Sequence, residues 1–342
     1  MPKQLIRFIN GKSLLEIAFD RLEHLVPPER RYICAGETHK AAVLQQLSTL
    51  SEDRFLGEPT GRDTLNALAF SAAIIGKADK EAVIAVFTAD HIIEPLDEFL
   101  HTVEEGFSVV EGSESTLMTF GITPTHAATG YGYLELGERF NGQSRVVRKF
   151  REKPDADTAE RYLGAGPENY LWNSGMFIWK AGFFLECVRR YEPAVYEGIM
   201  KIAEAWGGPD AASVIADVYP RLKKISVDFA VMEKASQDPE VTVAAVPMSA
   251  SWHDVGSWPA YGQILPDDET QNVVSGCKGY FMDSERIVAV SDDPDHLIAT
   301  IGCEDLVIIH SANATLVCPK EEAEKIKALH AKINEEYGET YV

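Results

Sequence analysis

Apolar positions fall along this chain in three textures. The first is the unbroken run. Ala82, Val83, Ile84, Ala85, Val86 and Phe87 are six apolar residues in succession, which predicts a strand buried on both faces. Shorter runs at 31–34, 54–56, 116–122 and 146–150, and an alternating stretch at 241–247, predict further strands. The second texture is helical spacing. Leu14, Leu15, Ala18, Phe19 and Leu22 line one face of a helix opened by Gly11, Lys12 and Ser13. Leu65, Leu68, Ala69, Ala72 and Ile75 do the same, and helices are expected at 40–47, 95–110 and 157–163. The stretch 181–219 reads as helical, punctuated by Pro193 and Pro209. Strands and helices alternating in this way predict an α/β fold, with a parallel sheet covered by helices on both faces.

The third texture begins near Asn272. Short β-type runs recur at 279–282, 287–290, 297–301, 306–310 and 315–318, and an amphipathic helix closes the chain at 321–337. The runs do not match at a fixed period, so no repeat array is expected. The expected division is a large domain over 1–266 and a small β-rich C-terminal domain over 270–342, with Pro266-Asp267-Asp268-Glu269 between them.

A chain of 342 residues, 45% of them hydrophobic, has room for both. The formal net charge of −21 argues against nucleic acid as a partner, since such binding needs a basic footprint. Any phosphate site must then be locally basic or assisted by a metal. The five cysteines are odd in number and form no C-x-x-C pair, which suits reduced thiols in a cytoplasm. No apolar run approaches the ~20 residues needed to cross a bilayer, and the first residues have no signal-peptide core. A soluble cytoplasmic protein with no membrane partner is expected.

Candidate chemistry sits where these elements end. The run at 82–87 gives way to Thr88, Ala89, Asp90 and His91, and ligands of open α/β sheets collect beyond the carboxyl ends of strands. A carboxylate there is a natural Mg²⁺ ligand; alternatively Asp90 caps the next element and His91 packs locally. In the loop from Glu58 to Thr64, Arg62 suits a phosphate or a purine edge, while Asp63 and Thr64 are equally good helix caps. Gly130 and Gly132, alternating with tyrosines, would let backbone approach a ligand. Glu152 beside Lys153 could grip a sugar phosphate from both ends, or form a surface ion pair. Asn173, in an aromatic apolar segment, needs a partner, either a ligand hydroxyl or a backbone carbonyl. Asp254, between Trp252 and Trp258, is a candidate second metal carboxylate.

In this order the motifs resemble the sugar-1-phosphate nucleotidyltransferases, and among them the mannose-1-phosphate guanylyltransferases. The residues are Pro2-Lys3-Gln4, Gly11-Lys12-Ser13-Leu14, Glu58-Pro59…Gly61-Arg62, Ala89-Asp90-His91, Thr129-Gly-Tyr-Gly-Tyr133, Phe150…Glu152-Lys153-Pro154, Trp172-Asn-Ser-Gly-Met-Phe177, Ser226…Asp228…Ala230-Val-Met-Glu233 and Trp252…Asp254-Val-Gly-Ser-Trp258. The resemblance implies a Rossmann-like nucleotidyltransferase sheet. It implies formation of GDP-mannose and pyrophosphate from GTP and mannose 1-phosphate. Asp90 and Asp254 would hold one Mg²⁺, and Lys3 would contact the nucleotide phosphates. Glu58 and Arg62 would lie near the nucleotide, and Gly132, Glu152, Lys153 and Asn173 on the sugar-phosphate side. The family's C-terminal domain often mediates self-association, so a homodimer is expected.

The sequence departs from the family in three places. The family's Pro-Lys-Gln closes a Gly-Gly-x-Gly-x-Arg-Leu-x-Pro stretch that follows the first strand, whereas this sequence starts at Pro-Lys-Gln. The expectation is a longer, active protein; the alternative is a shortened, non-catalytic nucleotide-sugar-binding or regulatory relative. Asp63 stands where the family usually has Asn, and His310-Ser-Ala-Asn313 replaces a more acidic stretch.

Overall fold

The strand Tyr170–Lys180, eleven residues long, is the backbone on which the larger sheet assembles. The computed structural model describes residues 3–7, 9 and 11–341. Contacts divide the chain into two compact units. One comprises Leu22–Thr88 and Glu94–Ala250, the other Met1–Arg21, Ala89–Ile93 and Ser251–Val342.

In the first unit a six-stranded sheet runs in the order Val83–Val86, Tyr170–Lys180, Thr116–Ile122, Thr242–Met248, Arg145–Arg151, Tyr133–Arg139. Only the pairing of Thr116–Ile122 with Thr242–Met248 is parallel; the others along this order are antiparallel. Tyr170–Lys180 also pairs with Tyr133–Arg139, Tyr133 lying opposite Trp172. The expected parallel sheet is therefore corrected to a mixed one. The strands Ile33–Gly36 and Phe55–Glu58 do pair in parallel, but as a separate two-stranded sheet. Local pattern shows that a segment is a strand; it carries no record of which distant segment becomes its neighbour.

Successive residues of a strand point to opposite faces, and helices cover both faces here. Met118, Phe120 and Ile178 meet the helix Leu96–Glu111 at Gly106, where an added Cβ would lie 2.1 Å from Met118 Cε. Leu117, Phe177 and Trp179 join the opposite core, with Leu65, Ala69 and Phe70 of the helix Thr64–Ala78 and Phe184 of Ala181–Tyr191. The strand Val83–Val86 differs from expectation: Ile84 is buried but its three companions are only half-buried. The helical stretch 181–219 breaks as its prolines suggested, Pro193 opening the helix Pro193–Ala205.

In the second unit the helix Leu14–Asp20 begins with a capping box. The Glu16 N–H donates to Ser13 Oγ and the Ser13 N–H to the Glu16 carboxylate. Beyond residue 272 the short strands stack in parallel: Val273–Ser275 on Val288–Ser291 on Leu306–Ser311, and Lys278–Met282 on Leu297–Ile301. A repeat is present after all. Lys278 pairs with Leu297, Glu285 with Glu304 and Val288 with Val307, each pair nineteen residues apart. It escapes notice because Glu285-Arg-Ile-Val-Ala-Val290 and Glu304-Asp-Leu-Val-Ile-Ile309 match, whereas the residues around them do not. Ile287, Ala289, Ile298 and Ile308 fill the interior of the stack. His310 to Asn313 falls at the hairpin into the antiparallel strand Ala314–Pro319. The helix Ile326–Tyr337 buries none of its residues. Among the described residues no helix is long and apolar enough to cross a membrane.

Trp179 is fully buried and stacks on Phe184 at 4.0 Å and 5°. Its indole N–H has no hydrogen-bond partner. Trp179→Ala should cost about 3–5 kcal/mol. Trp179→Phe should cost much less, because no polar partner is stranded. Urea denaturation midpoints would check both.

Candidate active site

Asp90 and Asp254 are brought together by backbone. The strand Ser251–Asp254 pairs with His91–Glu94, and the Val255 N–H donates to the Asp90 carbonyl at 2.9 Å. One carboxylate oxygen of Asp90, one of Asp254 and a ring nitrogen of His91 all lie within 4.8 Å of one another. Lys3 Nζ is 3.5 Å from Asp90 Oδ2 and also donates to the Val255 carbonyl. Gln4 Nε2 donates to Asp90 Oδ2 at 3.3 Å. Pro2, the neighbour of these residues, lies outside the described residues. Burial and the Asp90 charge push the Asp254 carboxyl above its usual range, opposed by Lys3.

His91 is buried, and its Nδ1 accepts from the Trp252 indole N–H at 3.1 Å. Burial lowers its pKa to about 4, so the ring is neutral near pH 7. With Nδ1 an acceptor, the hydrogen sits on Nε2. The two carboxylates supply the oxygen donors of this cluster. Two acidic oxygens converging with one cationic neighbour fit a hard divalent cation.

The first unit holds a second polar group. Gly132, Glu152, Lys153 and Asn173 meet there. A Cβ on Gly132 would lie 2.7 Å from Glu152 Oε2 and 3.5 Å from Asn173 Cβ, so a side chain there would displace the Glu152 carboxylate. The Gly132 carbonyl accepts from the Asn173 N–H at 2.8 Å. Lys153 Nζ pairs with Glu152 Oε1, and the Glu152 N–H donates to Glu233 Oε1 at 3.1 Å. Asn173 is buried and its partners are side chains: Thr119 Oγ1 donates to its Oδ1 at 2.8 Å, and its Nδ2 donates to Asp228 Oδ1 at 3.2 Å. Burial and the nearby Glu152 charge push the Asp228 carboxyl up to about 6.

Asp228 and Thr119 were not among the expected site residues. The signal for Asp228 was a lone acid leading an apolar run, Phe229 to Met232, where a buried charge must find partners. Thr119, inside a strand, gave none.

Glu58 and Arg62 belong to the same unit. Glu58 Oε1 accepts from Tyr219 Oη at 2.6 Å, and burial raises its carboxyl pKa. Arg62 Nε is buried with no hydrogen-bond partner, which leaves a cationic donor for an anion. Asp63 does cap the helix Thr64–Ala78, accepting from the Thr64 N–H at 2.9 Å, with φ at 68°. Asp63 and Thr64 line a cleft of about 440 Å³ with Glu152, Lys153 and Asp228.

These charges have consequences for stability. A divalent cation should raise the melting temperature of the wild type but not of Asp254→Asn, by about 2.7 kcal/mol of stabilisation at a hundredfold excess over its Kd. Thermal melts with and without the cation check this. Between about pH 4 and 6 the folded chain keeps a proton on Asp228 that the unfolded chain has lost. The contribution of Asp228 to stability therefore falls as pH rises through that window, so Asp228→Asn should gain stability relative to the wild type between pH 4 and pH 7. Urea midpoints at pH 4 and pH 7 check the sign.

A family model described as nucleotidyl transferase matches residues 1–271, and one described as the MannoseP isomerase/GMP-like beta-helix domain matches residues 281–332. The mannose-1-phosphate guanylyltransferase of Klebsiella pneumoniae is 34% identical over 332 residues, which is 95% of this chain and 68% of that protein. The protein of the same name from Escherichia coli matches to the same extent, also at 34% identity. A solved structure described as mannose-1-phosphate geranyltransferase from Thermus thermophilus superposes with a TM-score of 0.82 at 29% identity, covering 97% of this chain and 92% of that one. Mannose-6-phosphate isomerase from Helicobacter pylori superposes at 0.60 and 27% identity, covering 74% and 94%. With most of its length matched by one family and relatives a third identical along nearly all of it, the chain belongs to the nucleotidyl transferase family.

Proposed function

We propose that this protein is a mannose-1-phosphate guanylyltransferase. It joins GTP and mannose 1-phosphate into GDP-mannose and releases pyrophosphate. A phosphate oxygen of the sugar 1-phosphate bonds to the α-phosphorus of GTP. The bond from that phosphorus to the oxygen leading to the β-phosphate breaks, and the electron pair leaves with pyrophosphate. The observation that carries the reading is the convergence of Asp90 and Asp254, whose carboxylates come within 4.8 Å of each other. The names of relatives at 34% identity support the choice of base and sugar.

Catalysis of this type consists of positioning and charge neutralisation. Mg²⁺, held by Asp90 and Asp254, would supply neutralisation of phosphate charge. Lys3 adds a positive charge beside Asp90 and contacts the nucleotide phosphates. Arg62, with its unpartnered Nε, takes the anionic or purine part of the nucleotide, and Glu58 lies near it. Lys153 meets the sugar phosphate, Glu152 and Asn173 bind its hydroxyls, and Gly132 admits the ligand close to backbone. A cytoplasmic setting, a homodimeric state and a division of the chain near 266–270 belong to the same reading.

Pyrophosphate release from GTP and mannose 1-phosphate with Mg²⁺ tests the assignment. Release with another nucleotide and sugar phosphate, and none with this pair, would overturn the substrates. Binding of GDP-mannose without turnover of any pair would favour the binding-only alternative. Asp254→Asn should lower kcat at least about a hundredfold with little change in the KM values, because charge neutralisation acts chiefly on the transition state.

A further inference from the structure

Asn66 is fully buried near the start of the helix Thr64–Ala78. Its Nδ2 donates to the Arg62 carbonyl at 2.6 Å and to the Lys223 carbonyl at 2.9 Å. A carbonyl carries no hydrogen, so both contacts need the amide nitrogen, and its two hydrogens serve them. Asn66 Oδ1 is buried with no hydrogen-bond partner among the described residues. A helix N-terminus has N–H groups to spare, so side chains there cap it by accepting. Asn66 donates instead and buries an unsatisfied oxygen, which carries a cost. What it achieves is a tie between segments 157 residues apart in sequence. Two more bonds run beside it: the Leu65 N–H donates to the Ile225 carbonyl at 3.3 Å, and the Val227 N–H to Thr64 Oγ1 at 2.9 Å. Lys223 Nζ in turn pairs with Glu192 at 3.0 Å. Both tied segments line the cleft of about 440 Å³, one through Asp63 and Thr64, the other through Lys224 and Ser226. The Arg62 peptide is thus held one residue before the left-handed turn at Asp63, where φ is 68°.

We propose that Asn66 is a positioning residue for nucleotide binding: it fixes the Arg62 peptide against the segment 223–227, so that the Arg62 guanidinium is aimed before the nucleotide arrives. The inference rests on the proposed guanylyl transfer, which sets Arg62 at the nucleotide, and deepens it by naming what holds Arg62 there. Arginine is a long side chain that loses much rotamer freedom when it grips a ligand. A fixed backbone leaves less of that ordering to be done on binding, and affinity rises accordingly. Without the two Nδ2 bonds the tie opens, and the nucleotide itself must order Arg62. The loss then falls on nucleotide binding and not on the chemical step.

A double-mutant cycle tests this. The Kd for GTP with Mg²⁺, the KM for GTP and kcat are measured for the wild type, Asn66→Ala, Arg62→Ala and the double variant, with urea midpoints alongside. Asn66→Ala should weaken GTP binding about tenfold and leave kcat within about threefold. Added to Arg62→Ala it should cost less than about twofold more, because it acts through that side chain. Additive losses would overturn the inference. So would unchanged GTP binding with a lowered urea midpoint, which would leave Asn66 a structural tie and nothing more. If Asn66→Ala does not fold, Thr64→Val, which removes the acceptor of the Val227 N–H, should weaken GTP binding and Thr64→Ser restore it; equal affinity in both overturns the inference. If the wild type uses another nucleotide in place of GTP, the guanylyl reading fails and the same cycle is decided with that nucleotide. If the wild type turns over GTP and the cycle is additive, only the present inference fails.

Discussion

The constraint on which the metal side of the site depends is a repulsion. Asp90 and Asp254 are one hundred and sixty-four positions apart in sequence (254 minus 90). Backbone pairing between His91–Glu94 and Ser251–Asp254 nevertheless brings their carboxylates within reach of one another. Burial, and then the Asp90 charge, raise the proton affinity of the Asp254 carboxyl. Lys3 offsets part of the charge, and the neutral His91, buried against Trp252, adds none. The fold thus keeps a local excess of negative charge that a divalent cation would relieve. Such an arrangement costs stability in its absence and is a recognisable mark of function.

The other polar group solves a different problem. Thr119 and Asn173 sit inside a sheet whose neighbours are Met118, Phe120, Trp172 and Phe177, all buried. Hydroxyl and amide there must be satisfied or they cost about 1–3 kcal/mol each. The chain Thr119 to Asn173 to Asp228 satisfies them internally and leaves one end at the cleft. A network anchored in strands is stiffer than one carried on loops. Gly132 completes the arrangement by leaving out a side chain.

Much of this was legible in the residues. Apolar runs and helical spacing marked most elements, the Ser13 cap and the Pro193 break behaved as their chemistry requires, and the ordered motifs pointed to the family. Asp90, Asp254, Gly132, Glu152, Lys153 and Asn173 could be singled out because acids, amides and glycines in apolar or aromatic surroundings need a reason to be there. Asp228 carried that signal too, but entered only as part of the motif from Ser226 to Glu233. Thr119 had no signal, since threonine is at home in a strand.

Sequence by itself marked many of the strands and helices, because these depend on spacing along a few neighbouring residues, but not the strands His91–Glu94, Tyr133–Arg139, Tyr170–Lys180 and Ser251–Asp254. It also determined the chemical types available for a phosphate and a cation. Only the tertiary structure decided that the sheet is mixed, that Val83–Val86 is half-covered, and that strands nineteen residues apart stack. Those outcomes come from hydrogen-bond partners chosen across long separations, and no local pattern encodes the choice. The same holds for the site: a carboxylate can be recognised anywhere, but whether it faces a second one is decided by a ladder of backbone bonds formed far away in sequence.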